Sequence, residues 1–383
     1  MGAMKFTTPT ILLNILLAFP GCLFILKYSS RIFPHPFLLS LCYLGFFAIQ
    51  SLAALWLAQW VGKSSHPKRL LVLGVATYLA AVLVIYTRMN PLNLRTDRWS
   101  ALQGFLNALF HGSYPYQAMT HLDHPISGFP VLFLLALPFY GLGDVGYLQL
   151  AAFVAFALLL VLKFREGARP VFLLGLLIGM PAFEYDVFCR SDLFANMVVV
   201  AWLIHSGLKP GSSRGPKLFF WAMAWGLMLS TRGIVVIPLI LSAFHLLRDH
   251  DLKDWIGFGL ILAATFFATF LPLYSWNPNL FWEHNPFNVQ SGYIPTWALA
   301  IVLFTACFLG YRHRENPRLF FHSGILLFST VLLCLVLKVM RSGWAEALWG
   351  SQFDISYFSL SIPFLLLALG GSFPKLLTGE ARK

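Results

Sequence analysis

The feature that most constrains this chain is a succession of apolar runs, each about 17–25 residues long, separated by short loops. Runs of that length match the hydrocarbon thickness of a bilayer when they are helical. Only 11% of the 383 residues are charged and 58% are hydrophobic, whereas a soluble domain carries about 25% charge. So much apolar surface has to face lipid as well as itself. Short strands alternating outward-apolar with inward-polar residues are absent, which argues against a barrel. The expected fold is therefore all-α: a polytopic membrane protein of a single domain, residues 1–383, with no soluble domain, linker or low-complexity tract.

Spans are expected at 7–26, 37–61, 70–87, 146–163, 170–185, 192–207, 218–231, 233–247, 255–274, 296–311, 320–338 and 355–371, about twelve in all. The first run lacks a small-residue cleavage site, so no cleavable signal peptide is expected. Basic residues set the orientation. They cluster as Lys63, Lys68 and Arg69; Lys163, Arg165 and Arg169; Lys209, Arg214 and Lys217; Arg248 and Lys253; Arg312, Arg314 and Arg318; and Lys375, Arg382 and Lys383. The positive-inside bias puts all of these, and both termini, in the cytoplasm. That holds only if the apolar segment 129–142, bounded by Pro130 and Gly141, does not cross. It is read as a re-entrant or half-inserted helix.

The net charge of +12 thus reflects orientation, with some attraction to anionic lipid or phosphate, and not a nucleic-acid partner. Cys22, Cys42, Cys307 and Cys334 fall in apolar runs and Cys189 near an expected outer face, with no disulfide or metal spacing.

The outer face then collects the polar segments that orientation does not explain: 90–127, 184–192, 230–233, 275–295 and 340–354. The longest, 90–127, makes up most of the expected catalytic loop, 88–128. It carries Asp97 between Arg95 and Arg98, which favour its ionised form, and so a carboxylate able to take a proton from an acceptor hydroxyl. The plainer reading is a solvated loop acid paired with arginine. After it, Trp99, Leu102, Phe105, Leu106, Leu109 and Phe110 follow a helical period, as in a helix lying in the interface plane.

A second charged cluster combines Glu184 and Asp186 with Arg190 and Asp192. Such density at a helix junction needs solvation or pairing, and Asp192 could equally cap the following span. Arg232 stands alone between two apolar runs, against the positive-inside bias. Its planar fork suits a phosphate, although snorkelling to headgroups would also explain it. Arg341 and His284 offer the same chemistry at other junctions, with Asn288 and Gln290 beside the latter. His121, Asp123 and His124 match no metal-site spacing, so no metal is expected. No phosphate-cradling glycine loop appears, and no cofactor is expected.

In order, Asp97, the amphipathic segment, the run Gly112, Ser113, Tyr114, Pro115 and Tyr116, and then His124 through Phe133 resemble the first outer loop of the GT-C superfamily of integral membrane glycosyltransferases. The likeness is greatest to the polyprenyl-phosphate-mannose-dependent mannosyltransferases. Those proteins place an acid at the start of this loop, then Gly-x-x-Pro-Tyr, then an aromatic-Pro-Pro-Leu element. This chain has Phe129, Pro130, Val131 and Leu132, without the second proline, and two extra spans precede the acid.

The resemblance implies inverting transfer of mannose or a similar sugar from a polyprenyl-phosphate donor to a lipid or glycan acceptor at the outer face. Asp97 would be the general base, with Asp192 as a second catalytic acid. Arg232, Arg341 and His284 would hold the donor phosphate. Arg98, Tyr116, His124, Glu184, Asp186, Arg190, Asn288 and Gln290 would contact substrate. A transporter or flippase of a lipid-linked glycan is the main rival, and a non-catalytic subunit of a membrane complex a third reading. A transporter would favour mid-span charges and paired broken helices.

Cysteine labelling tests the orientation. Positions 63–69 and 209–217 should label from the cytoplasmic side, and Asn93 and Trp282 from the opposite side. Labelling of Ser113 and Ser213 from one side would overturn the re-entrant reading of 129–142.

Overall fold

The computed structural model describes residues 8–165, 168–207, 216–292, 294–312 and 316–372. The loop cations Lys209, Arg214, Arg314, Lys375, Arg382 and Lys383 lie outside the described residues. Among those described, every regular element is helical, apart from one isolated bridge between Met119 and Pro125. Five helices are long and apolar enough to cross a membrane: Pro9–Ser29, Pro36–Lys63, Pro67–Arg88, Tyr147–Phe164 and Arg318–Leu348. A bent pair, Ala168–Ile178 with Pro181–Phe188, makes a sixth if it counts as one span.

Twelve separate spans are not shown. Several expected spans are shorter helices, such as Leu193–Gly207, Gly233–Leu247 and Thr296–Arg312. At about 1.5 Å per residue they fall short of a hydrocarbon core of about 30 Å. Local chemistry shortens them. The run 255–274 breaks at Thr269 and Phe270, with Pro272 early in the next helix, Leu271–Trp276. The run 355–371 opens as a 3-10 helix, Ile355–Ser361, before Ile362–Gly371.

The chain forms two compact units. The first comprises Met1–Arg88, Phe153–Phe188 and Phe328–Lys383. In it, Pro36–Lys63 presents a narrow buried stripe of Tyr43, Phe47, Ala54, Ala58 and Val61. Its other faces expose Leu41, Ile49, Leu52 and Trp56, the surface expected of a lipid-facing helix. The stripe packs on Ala168–Ile178, where a Cβ on Gly175 would lie 3.1 Å from the Ala54 methyl.

The bent pair turns by 72°. Pro181 has no N–H to continue the helix. The Gln50 amide donates instead to the carbonyls of Leu176 (2.7 Å) and Gly175 (3.2 Å). A polar side chain inside an apolar helix is thereby spent on the carbonyls beside the break. Beyond it, Glu184 accepts a hydrogen bond from the Tyr78 hydroxyl at 2.9 Å.

The second unit comprises Met89–Ala152 and Cys189–Leu327. Pro216–Leu229 packs on Leu252–Ala268, and Val236–Leu247 on Thr296–Arg312. Gly226 makes the first contact possible, since a Cβ there would lie 2.5 Å from the Leu262 carbonyl oxygen.

Gly226→Val should therefore cost about 1–3 kcal/mol by overpacking, read as a lower melting temperature of the detergent-purified protein. Gly259→Ala, at a position with nothing within 4 Å, should melt no lower than wild type. Equal melting of Gly226→Val and wild type would refute the close packing.

Candidate functional site

The helix Arg98–Phe110 begins at Asp97, an N-cap residue whose side chain makes no hydrogen bond to the helix it caps. Aspartate is a favoured N-cap, usually worth about 0.5–2 kcal/mol relative to alanine. Here the backbone carbonyl accepts from the Ala101 N–H at 2.8 Å, but the carboxylate is committed elsewhere. Its Oδ2 lies 2.7 Å from His124 Nδ1 and 3.4 Å from the Thr120 hydroxyl. The helix buries Leu102, Phe105 and Leu106, with the Phe105 ring stacked on Phe133 of Pro130–Gly141 at 3.6 Å between centroids. The apolar face expected to lie in the membrane interface thus packs at least in part on protein.

A tight turn carries His124 to Asp97. Asp123 N–H donates to the Thr120 carbonyl and Thr120 N–H to the His124 carbonyl, both at 3.0 Å. Thr120 Oγ1 accepts from His124 N–H at 3.1 Å. The turn requires a left-handed residue, and Asp123 supplies it at φ 57°, a conformation that aspartate tolerates better than most residues. His121 turns away, its Nδ1 2.7 Å from Ser100 Oγ and its Nε2 3.0 Å from the Leu94 carbonyl. Among the described residues no group of three His, Cys, Asp or Glu side chains gathers as a metal site.

Arg232 and Asp192 form a bidentate pair, Nε to Oδ2 at 2.6 Å and Nη2 to Oδ1 at 2.7 Å. Both are buried, at 6% and 1% exposure. Burial alone would raise the Asp192 carboxyl, but Arg232, and then Arg98, hold it below the usual carboxylate range. The backbone around Arg232 is tied to the expected catalytic loop. Phe129 N–H donates to the Thr231 carbonyl at 3.0 Å and Val131 N–H to the Ser230 carbonyl at 2.9 Å. The Gln290 amide bridges the same two segments, donating to the Ser127 carbonyl and accepting from Gly233 N–H. Tyr116 supports the loop from below, its hydroxyl donating to the Gly128 carbonyl at 2.9 Å. Gly128 has to be small, because a Cβ there would come within 2.9 Å of both Leu132 and Phe133.

These ties shape one pocket, lined by Asp97, Arg98, Thr120, Ser127, Asp192 and Arg232 among others. It has room for about one water molecule, so any larger ligand has to widen it. Its carboxylates differ in kind. Asp192 is locked to a guanidinium, whereas Asp97 keeps 26% of its side chain exposed and has a hydrogen-bonded histidine beside it. Arg98, 7% exposed, adds a second buried guanidinium.

The other expected site residues are not among those lining this pocket. Glu184, Asp186 and Arg341 belong to the first unit, with Arg341 exposed. Tyr116 and Gln290 are spent on backbone groups. His284 ends the helix Pro278–Glu283, its Nε2 3.9 Å from Glu283, and Asn288 is exposed on Pro286–Ser291. Arg190 takes a left-handed φ of 52°. It pairs with Asp144 and donates from Nη2 to the Met89 carbonyl at 2.9 Å. Asp144 had drawn no attention in the sequence. It also accepts from Trp99 Nε1 at 2.7 Å and Gly146 N–H at 2.8 Å. An isolated acid just after an apolar segment was the available signal.

No family model matches the chain, and no curated protein or solved structure was found similar to it.

Asp192→Asn should destabilise the protein by about 3–5 kcal/mol, because it leaves a buried guanidinium without its counter-charge. Since the folded carboxyl lies below its usual range, the pair's contribution is fully present at neutral pH. It is lost as pH falls through that lowered range. The melting-temperature gap between wild type and Asp192→Asn should narrow on acidification. Equal melting at neutral pH would show that the pair carries no stability.

Proposed function

We propose that this chain is an integral membrane glycosyltransferase of GT-C type, moving a sugar from a polyprenyl-phosphate donor to a lipid or glycan acceptor at the outer membrane face. The observation that carries the reading is one pocket lined by a partly exposed carboxylate, Asp97, and two buried guanidinium groups, Arg98 and Arg232. The order of motifs in 97–133 supports the same class.

In this reading the acceptor hydroxyl gives its proton to Asp97 as its oxygen attacks the anomeric carbon. The carbon–oxygen bond to the lipid phosphate breaks from the opposite side, inverting the configuration, and the phosphate leaves with the electron pair. Arg232 meets the developing charge with Nη1, the nitrogen its pairing with Asp192 leaves out, and Arg98 adds a second cation. Asp192 orients Arg232 and is not the base, because both of its oxygens bind that guanidinium. Arg341 is not among the residues lining this pocket. No cofactor enters the reaction.

A flippase for a lipid-linked glycan is the second reading. The broken helix pair favours it, with Glu184 and the Tyr78 hydroxyl beyond the bend.

Asp97→Asn separates the two. Purified variant protein should melt like wild type, yet transfer sugar from a polyprenyl-phosphate donor about 10²–10⁴ times more slowly, and Asp97→Glu should keep a little activity. Full transfer by Asp97→Asn would remove Asp97 as the base. Lipid-glycan movement by a wild type that transfers nothing would favour the flippase.

A further inference from the structure

The contact between Asp97 and His124 is the closest polar contact that the pocket carboxylate makes outside its own helix. We infer that His124 is a positioning residue for the base, holding one oxygen of Asp97 so that the other is presented to the acceptor hydroxyl. The inference rests on the glycosyl-transfer reading above.

Three observations carry it. Asp97 sits where an aspartate would ordinarily bond to the first helical N–H groups, and its carboxylate instead lies 2.7 Å from His124 Nδ1. A carboxylate partner favours the tautomer with the proton on Nδ1, so the imidazole N–H donates to Oδ2. The turn that delivers the ring is built for that placement. It places Asp123 in the left-handed region, and Thr120 braces the turn while pointing its hydroxyl toward the same carboxylate oxygen. Finally, the His124 side chain is 63% exposed. Burial does not hold the ring where it is, so packing alone does not account for its position.

With the imidazole N–H on one oxygen of Asp97, the other oxygen is available. The acceptor O–H bond breaks, the proton moves to that second oxygen, and the bond from the acceptor oxygen to the anomeric carbon forms as the phosphate leaves.

The test pairs structure with kinetics. Nitrogen-15 NMR of histidine-labelled protein in detergent micelles, with His124→Asn assigning the signal, should show the Nδ1-protonated form in wild type. Asp97→Asn should shift that signal. A wild-type signal for the other tautomer, or no response to Asp97→Asn, overturns the pairing. In the transfer assay His124→Ala should lower kcat at least tenfold with little change in acceptor KM. His124→Asn, whose amide N–H can reach the same oxygen, should recover most of that loss. If His124→Ala turns over like wild type while Asp97→Asn is dead, the positioning role falls and glycosyl transfer stands. If wild type transfers no sugar from any polyprenyl-phosphate donor, the reading and the role of His124 fall together.

Discussion

The bidentate pair of Asp192 and Arg232 fixes the geometry on which the pocket depends. A guanidinium taken out of water this completely persists only if its charge is met, and Asp192 meets it through two hydrogen bonds. Arg232 in turn sits in a segment whose carbonyls, from Ser230 and Thr231, receive the N–H groups of Val131 and Phe129. Two stretches about a hundred residues apart in sequence are thus held by main-chain bonds beside a charge pair, with Gln290 bridging them. None of these bonds is strong alone. Together they leave the guanidinium few alternative positions, which is what recognition of a charged group requires.

The polar residues of the apolar helices follow a related rule. Backbone groups that lose their helical partners in a low-dielectric setting need replacement donors or acceptors. Gln50 supplies them where Pro181 ends a helix, and Ser40 and Cys22 join two neighbouring helices, Ser40 Oγ donating to the Cys22 carbonyl at 3.0 Å. Close approach depends on glycine: Gly175 faces Ala54 in the first unit, and Gly226 faces the Leu262 carbonyl in the second. Packing of this kind replaces the hydrophobic drive that lipid removes.

The helical class was legible because length and composition of the apolar runs carry it directly. The count of spans was not, because a hydropathy run records where a chain is greasy and not where a helix stops. Gly179 and Met180, or Thr269 and Phe270, interrupt helices without interrupting hydrophobicity. Asp97, Arg98, Asp192 and Arg232 stood out as charges at the ends of apolar runs, and they line one pocket. What sequence could not give was their pairing. Asp192 read as a helix cap or a second base, yet its carboxylate belongs to Arg232, 40 residues away. The nine-residue cluster of Glu184, Asp186, Arg190 and Asp192 looked like one site and divides between two units. Asp144 and Thr120 went unremarked because their roles are set by partners that local spacing does not reveal.

The distribution of charge argues that this pocket is not there for stability. Replacing a buried ion pair with well-packed apolar residues is often neutral or stabilising, and this chain has apolar residues in abundance. It nevertheless buries Arg98, Asp192 and Arg232 beside one pocket. It also withholds from the Arg98–Phe110 helix the cap that Asp97 could have given, forgoing stabilisation of about 0.5–2 kcal/mol. Local rules broken together at one place, without a packing gain to offset them, are the pattern expected where function sets the residues. The same reasoning separates Arg190 and Asp144 from the pocket. That pair is fully engaged by Trp99, Gly146 and Met89, so its charges are absorbed in holding the loop, whereas Asp97 retains an exposed edge in a pocket that Arg98 and Arg232 also line.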